Sequence, residues 1–171
     1  MACNPWHPRR HYLMSLVNPE PRAEGHRMVL HSCASGGPPR PLRVLVADDN
    51  VDAAESLGML LEIAGCEVKV AYDGLDVLTT VERFQPDACV LDAWMPRING
   101  WDIARRLRAQ ARREPLLLIA FTGVQGQASV DNSAAAGFDH HLLKPANPSL
   151  ILSHLAAFIS RSQPHLSIPI A

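Results

Sequence analysis

The chain alternates short apolar runs with longer segments in which apolar residues recur every three or four positions. The short runs are Leu42 to Ala47, Glu67 to Ala71, Ala88 to Leu91, Leu116 to Phe121 and His140 to Leu143. Their lengths suit strands, and the unbroken apolar character of Ala88 to Leu91 suits one covered on both faces. After the first run, Leu57, Leu60, Leu61 and Ala64 form a stripe on a helix from Val51 to about Ala64, capped by Asn50 and stopped by Gly65. A Tyr72-Asp73-Gly74 turn leads into a short helix ending near Phe84. A loop from Pro96 to Gly100 precedes a helix with Ile103 and Leu107 inward and Arg105, Arg106, Arg108, Arg112 and Arg113 largely outward. A weak, alanine-rich helix with an awkward Gly126 spans roughly Gln125 to Ala136, and a last helix runs from Pro148 to about Ser160. Five successive strand–helix units predict an α/β fold, a doubly wound five-stranded parallel sheet with right-handed crossovers.

Composition narrows the class. With 47% hydrophobic residues and a net charge of −1, the chain reads as globular, neither disordered nor nucleic-acid-coating. No stretch approaches the length of a membrane helix, so no membrane insertion is expected. Arg9 and Arg10 are not followed by an apolar run, which argues against a secretory signal. Cys3, Cys33, Cys66 and Cys89 lack CxxC spacing and read as reduced thiols, consistent with a cytoplasmic protein.

The first forty residues differ from the rest. They hold six of the fourteen prolines, five basic residues and two acidic ones, leaving eleven basic and fifteen acidic residues for the remainder. This predicts a disordered N-terminal extension over 1–40, with Gly36 to Pro39 as linker, ahead of an acidic domain over 41–161 and a short tail over 162–171. The extension reads as a partner-docking arm, as a functionless addition, or as translation from a start upstream of Met14 or Met28. His7, His11, His26 and His31 have no metal-ligand spacing and suit solvated loops.

The chemistry lies where the strands end. Asp48 and Asp49 follow the first strand, Asp92 the third, Thr122 the fourth and Lys144 the fifth. In a parallel sheet all five emerge at the carboxyl edge, where open α/β folds bind ligands. Clustered carboxylates repel one another unless a cation lies among them, and hard oxygen donors suit Mg²⁺. A lysine and a hydroxyl beside them suit phosphoryl oxygens.

With these residues in this order, Leu42 to Ser160 resembles the receiver domain of two-component response regulators. Asp48-Asp49, Asp92 with Met95-Pro96 and Asn99-Gly100 behind it, Thr122, and Lys144-Pro145 carry the resemblance. Each piece is weakly specific alone; the five residues Asp48, Asp49, Asp92, Thr122 and Lys144 at the right element ends are strongly so. The resemblance implies a flavodoxin-like strand order, 2-1-3-4-5, which sets Asp48 and Asp49 against Asp92. It implies Asp92 as phosphoacceptor, and Asp48, Asp49, Asp92 and the Trp94 backbone carbonyl around Mg²⁺. Thr122 and Lys144 would stabilise the transferring group, Thr122 and His141 would act as the switch, and Lys144-Pro145 would be a cis peptide. Two departures stand out. Gly123 replaces the alanine common after the threonine, and His141 takes the place of a tyrosine or phenylalanine, which would make the partner surface more polar and pH-sensitive.

The implied function is that of a single-domain response regulator in a phosphorelay, a signalling domain and not an enzyme in the ordinary sense. Its donor would be a sensor or hybrid histidine kinase, or a histidine phosphotransfer protein, and it would be a monomer or a phosphorylation-dependent dimer. With Trp94 and Val124 flanking the path of the hydrolytic water, the phosphoryl group should be long-lived. Direct nucleic-acid binding is not expected, because the arginine-rich helix lacks interleaved aromatics and the domain is acidic. A phosphatase forming an aspartyl phosphate would need an acid where Trp94 stands, and no GxxxxGK loop supports a nucleotide enzyme. A receiver-like module that never turns over phosphate is the remaining alternative.

Overall fold

The computed structural model describes residues 30–32, 40–110 and 115–162. Expectations for the first 29 residues, for the linker from Gly36 to Pro39, for Arg112 and Arg113 and for the end of the chain fall outside these residues. Two short antiparallel strands, β1 (His31–Ser32) and β2 (Arg40–Pro41), precede the main body. There β3 (Arg43–Ala47), β4 (Glu67–Ala71), β5 (Ala88–Leu91), β6 (Leu117–Thr122) and β7 (His140–Leu143) form one parallel sheet in the order β4-β3-β5-β6-β7. Counting these five alone, the order is 2-1-3-4-5, as the resemblance implied. The helices are α1 (Val51–Ile63), α2 (Gly74–Phe84), α3 (Gly100–Ala109), α4 (Gln127–Ala136) and α5 (Pro148–Ser162).

Alternation along the central strands divides the core. Leu45, Cys89, Leu91, Leu118 and Ala120 pack with residues of α2, α3 and α4. Val44, Val46, Val90 and Ile119 point the other way, onto Ala54, Leu57 and Leu61 of α1 and Ile151 and Leu155 of α5. Buried on both faces, β5 and β6 are apolar throughout except at Thr122, the last residue of β6, which is why they stand out in the sequence. Edge strand β4 instead alternates between exposed and covered positions. Cys66 lies in the second cluster, and burial pushes its thiol up to about 11, so it packs as a small apolar residue.

Described residues ahead of Pro41 also pack on the domain. Leu30 is buried with Leu42, Leu61 and Cys66, and its backbone bonds Ala64 and Leu42. Arg40 grips the buried Asp87 through two 2.7 Å hydrogen bonds, and Asp87 also accepts from the Arg43 amide at 2.8 Å. A bidentate guanidinium is the partner such a carboxylate needs. These contacts close the amino edge of the sheet, opposite the edge that carries the site.

Two helices differ from expectation. Helix α3 begins at Gly100 because Asn99 caps it, its side chain accepting from the Asp102 amide at 2.8 Å. Arg108, expected outward, reaches the carbonyls of Gly137 and Leu116 and the Asp139 carboxylate, and so ties α3 to the entrances of β6 and β7. Helix α4 starts only at Gln127, since Gly126 sits ahead of it with φ 100°. Glycine there is outside the helix and required by the backbone.

Candidate phosphoacceptor site

Strand register assembles the site. Ala47 lies beside Leu91, so the next residue on each strand, Asp48 and Asp92, are neighbours at the carboxyl edge. The Asp92 amide donates to the Ala47 carbonyl at 2.8 Å, and the Asp48 amide to that of Ala71 at 3.2 Å. Asp49 follows at the mouth. One carboxylate oxygen from each of Asp48, Asp49 and Asp92 lies within 4.8 Å of the others. Asp48 and Asp92 are buried and Asp49 is exposed. On the other side, Thr122 pairs with Leu143, and the Lys144 amide donates to the Thr122 carbonyl at 2.9 Å.

Lys144 joins the two halves. Its Nζ lies 2.5 Å from Asp48 Oδ2 and 2.6 Å from Asp92 Oδ2. Partial burial pushes the ammonium down, but the hydrogen bonds and charges of Asp48 and Asp92 outweigh this and raise its pKa. The lysine therefore stays charged and offsets the repulsion between the acids. The remaining oxygens are also placed. Asp48 Oδ1 accepts from the Asn50 amide and Asp92 Oδ1 from the Trp94 amide, each at 3.1 Å. The Lys144–Pro145 peptide is cis.

Thr122 is fully buried, its Oγ1 accepting from the Val124 amide at 3.2 Å. Val124 is half-buried, whereas the Trp94 side chain is 61% exposed and meets Trp101 edge-on, with ring centroids 5.9 Å apart. His141 is half-buried. Its Nδ1 lies 2.9 Å from the hydroxyl of buried Ser133, its Nε2 is buried, and burial holds its pKa below the usual value. A Cβ at Gly123 would meet nothing within 4 Å, so space does not demand glycine there.

Two glycines not singled out for their packing hold the acceptor loop in place. A Cβ on Gly100 would lie 2.2 Å from the Asp92 carbonyl oxygen, and one on Gly74 would lie 2.2 Å from that of Ile98. Helix α3 thus packs directly on the Asp92 backbone, and α2 on the following loop at Ile98. Arg97 adds a 2.7 Å ion pair to Asp73, which caps α2. Asn99-Gly100 was visible as a motif, but the clash that explains it is a tertiary contact.

This geometry defines a class: a doubly wound domain with a lysine-bridged acidic pocket at the carboxyl edge of its sheet. Residues 44–156 match the model of the response regulator receiver domain, and the chain belongs to that family. It is 35% identical over 127 residues to the response regulator MprA of Mycobacterium sp. (strain KMS), a match covering 72% of this chain and 53% of that protein. MprA of Mycobacterium leprae is also 35% identical, over 126 residues, with the same shares covered. The chain spans about half the length of these curated relatives. Among solved structures it is similar to the BeF3-activated DrrB receiver domain (TM-score 0.64, 29% identity, covering 71% of this chain and all of that one). A putative response regulator from Chloroflexus aurantiacus superposes with a TM-score of 0.66 at 27% identity, covering 71% of this chain and 100% of its own.

The chain is therefore a response regulator receiver domain of the two-component class, a signalling domain and not a classical enzyme. Response regulators receive phosphoryl groups from histidine kinases, and receiver domains generally bind Mg²⁺ at acidic residues. Among the described residues no helix is long and apolar enough to cross a membrane.

Proposed function

We propose that this domain accepts a phosphoryl group on Asp92, from the phosphohistidine of a sensor or hybrid kinase or of a histidine phosphotransfer protein. The observation that carries this reading is the Lys144 ammonium held between Asp48 and Asp92, with Asp49 beside them. An Asp92 oxygen attacks phosphorus, the phosphorus–nitrogen bond of the donor breaks, and imidazole leaves. Lys144 faces the charge that develops on the transferring oxygens, and the Thr122 hydroxyl is free to turn its proton toward one of them. Asp49, Asp92 and the Trp94 carbonyl would ligate Mg²⁺, with Asp48 acting through water; all are hard oxygen donors, as that ion requires. When bound, the ion supplies further charge neutralisation. A receiver-like interaction module that handles no phosphate has no need of a lysine-bridged acidic pocket. The separating test is incubation with Mg²⁺ and acetyl phosphate: a phosphoryl mass gain that maps to Asp92 supports the proposal, and no gain overturns it.

Metal binding has its own signature. Asp49 is the one carboxylate of the three that Lys144 does not engage, so an incoming ion meets it first. Ligands that bind only the native state stabilise by mass action, about 2.7 kcal/mol at a hundredfold excess over Kd. Mg²⁺ should raise the melting temperature, and Asp49→Ala should remove most of that rise. A full Mg²⁺ response in the variant would place the ion elsewhere.

Slow dephosphorylation is also expected. Neither Trp94 nor Val124 carries a carboxylate or amide to orient a water, and both can exclude one. A Trp94→Asn, Val124→Glu double variant should lose its phosphoryl group roughly tenfold faster, about 1.4 kcal/mol of barrier. Its exposure gives Trp94 a second reading as a partner-docking residue. Equal lifetimes with undiminished phosphorylation would favour that one.

A further inference from the structure

A continuous set of contacts leads from Asp92 to His141 along the face covered by α3 and α4. The Trp94 amide donates to Asp92 Oδ1, and the Trp94 ring meets the Trp101 ring edge-on at 78°. Trp101 Nε1–H donates to Ser133 Oγ at 3.1 Å, and Ser133 Oγ lies 2.9 Å from both His141 Nδ1 and the Ser129 carbonyl. Ser133 is 1% exposed. One hydroxyl thus joins α3, α4 and β7.

The proton count assigns the direction of each bond. Serine has one hydroxyl proton and two lone pairs. The proton goes to the Ser129 carbonyl, which can only accept. The lone pairs then receive Trp101 Nε1–H and His141 Nδ1–H. Burial favours the neutral ring, which then carries its proton on Nδ1 and leaves Nε2 a buried acceptor without a hydrogen-bond partner among the described residues. Such a group costs free energy, so the ring is held by its other contacts more than by its own solvation.

Helix α4 is poorly secured by its own sequence. It has no side-chain cap bond, and the glycine ahead of it leaves it without a capping side chain. Its position depends on tertiary contacts, of which the Ser133 hub is one. We propose that Trp101 and Ser133 are positioning residues that hold His141 against α4 and couple its place to the acceptor loop through Trp94. This rests on Asp92 being the phosphoacceptor. Loading Asp92 withdraws charge from the oxygen that receives the Trp94 amide, shifts Trp94 against Trp101, and so loosens or tightens the serine hub that fixes the histidine.

The test uses the full chain, with Mg²⁺ and beryllofluoride as acyl-phosphate mimic. Fluorine NMR reads loading at the site, and nitrogen NMR reads the Trp101 Nε1 and His141 ring signals. The wild type should show the Nδ1–H tautomer at His141, and loading should shift both residues. Trp101→Phe keeps a ring edge against Trp94 but removes the N–H; Ser133→Ala removes the hub. Both variants should load as the wild type does, yet the His141 response should be lost. Loss of that response in both variants, with fluorine signals unchanged, establishes the coupling. Undiminished His141 responses in both variants overturn the coupling and leave the acceptor reading standing. No fluorine signal from the wild type overturns both.

Discussion

Asp92→Asn should abolish the phosphoryl mass gain while leaving the fold in place. Amide and carboxylate have nearly the same shape, and an amide oxygen can still accept from the Trp94 amide or from Lys144. What disappears is the anionic oxygen that attacks phosphorus, and a neutral amide is no substitute nucleophile. Lys144 keeps its 2.5 Å bond to Asp48, so the ammonium is not left stranded. The check is mass spectrometry of wild type and variant after incubation with Mg²⁺ and acetyl phosphate, beside a thermal melt. Phosphorylation of the Asn variant at the wild-type rate would move the acceptor to Asp48 or Asp49. A variant that fails to melt cooperatively would instead assign Asp92 a structural role.

Gly100→Ala should damage both stability and phosphoryl transfer, although no side chain of the site is altered. The added methyl would fall 2.2 Å from the Asp92 carbonyl oxygen and 3.1 Å from the Ala93 Cα. These are backbone atoms and cannot rotate away. Alanine gains up to about 1 kcal/mol over glycine in a helix, but overpacking against a fixed wall costs about 1–3 kcal/mol. The wall should win, by roughly 2 kcal/mol at the extreme of that overpacking range. Relief requires α3 or the end of β5 to move, and a shift of about 1 Å at a reacting group can slow a step on the order of a hundredfold. Gly123→Ala is the matched control, because a Cβ there meets nothing within 4 Å. Denaturant midpoints and phosphorylation rates for both variants decide it. A Gly100→Ala protein with wild-type values in both would show that helix and loop are not rigidly packed.

Much of the fold was legible because burial imposes composition. Strands β4, β5 and β7 fall where their residues placed them, and the caps at Asn50 and the stop at Gly65 act locally, through groups only a few residues apart. The candidate site was legible for a related reason: strand ends are fixed points in a parallel sheet, so Asp48, Asp92, Thr122 and Lys144 could be assigned to one edge before any coordinates were known. Less legible were features whose partners are distant in the chain. Leu30 looked like part of a loose extension, since nothing local reveals that it packs beside Ala64. Arg108 looked like one more surface arginine on a charged helix face. Only the fold brings the carbonyls of Leu116 and Gly137 within its reach.

The division has a physical basis. Periodicity, capping chemistry and strand-end residues are properties of short stretches, so the sequence by itself determined the five strand–helix units, the parallel sheet and the identity of the acidic, hydroxyl and lysine groups at its edge. Distances between groups nearly a hundred residues apart depend on register and packing. Tertiary structure alone decided that Lys144 bridges Asp48 and Asp92, that glycine is required at position 100, and that His141 is tied inward. For His141 the sequence implied a switch residue with a polar, pH-sensitive surface, and it did not reveal what holds the ring. A buried serine on α4 holds that ring and itself accepts an indole N–H from α3, and no local pattern in the sequence announces either contact.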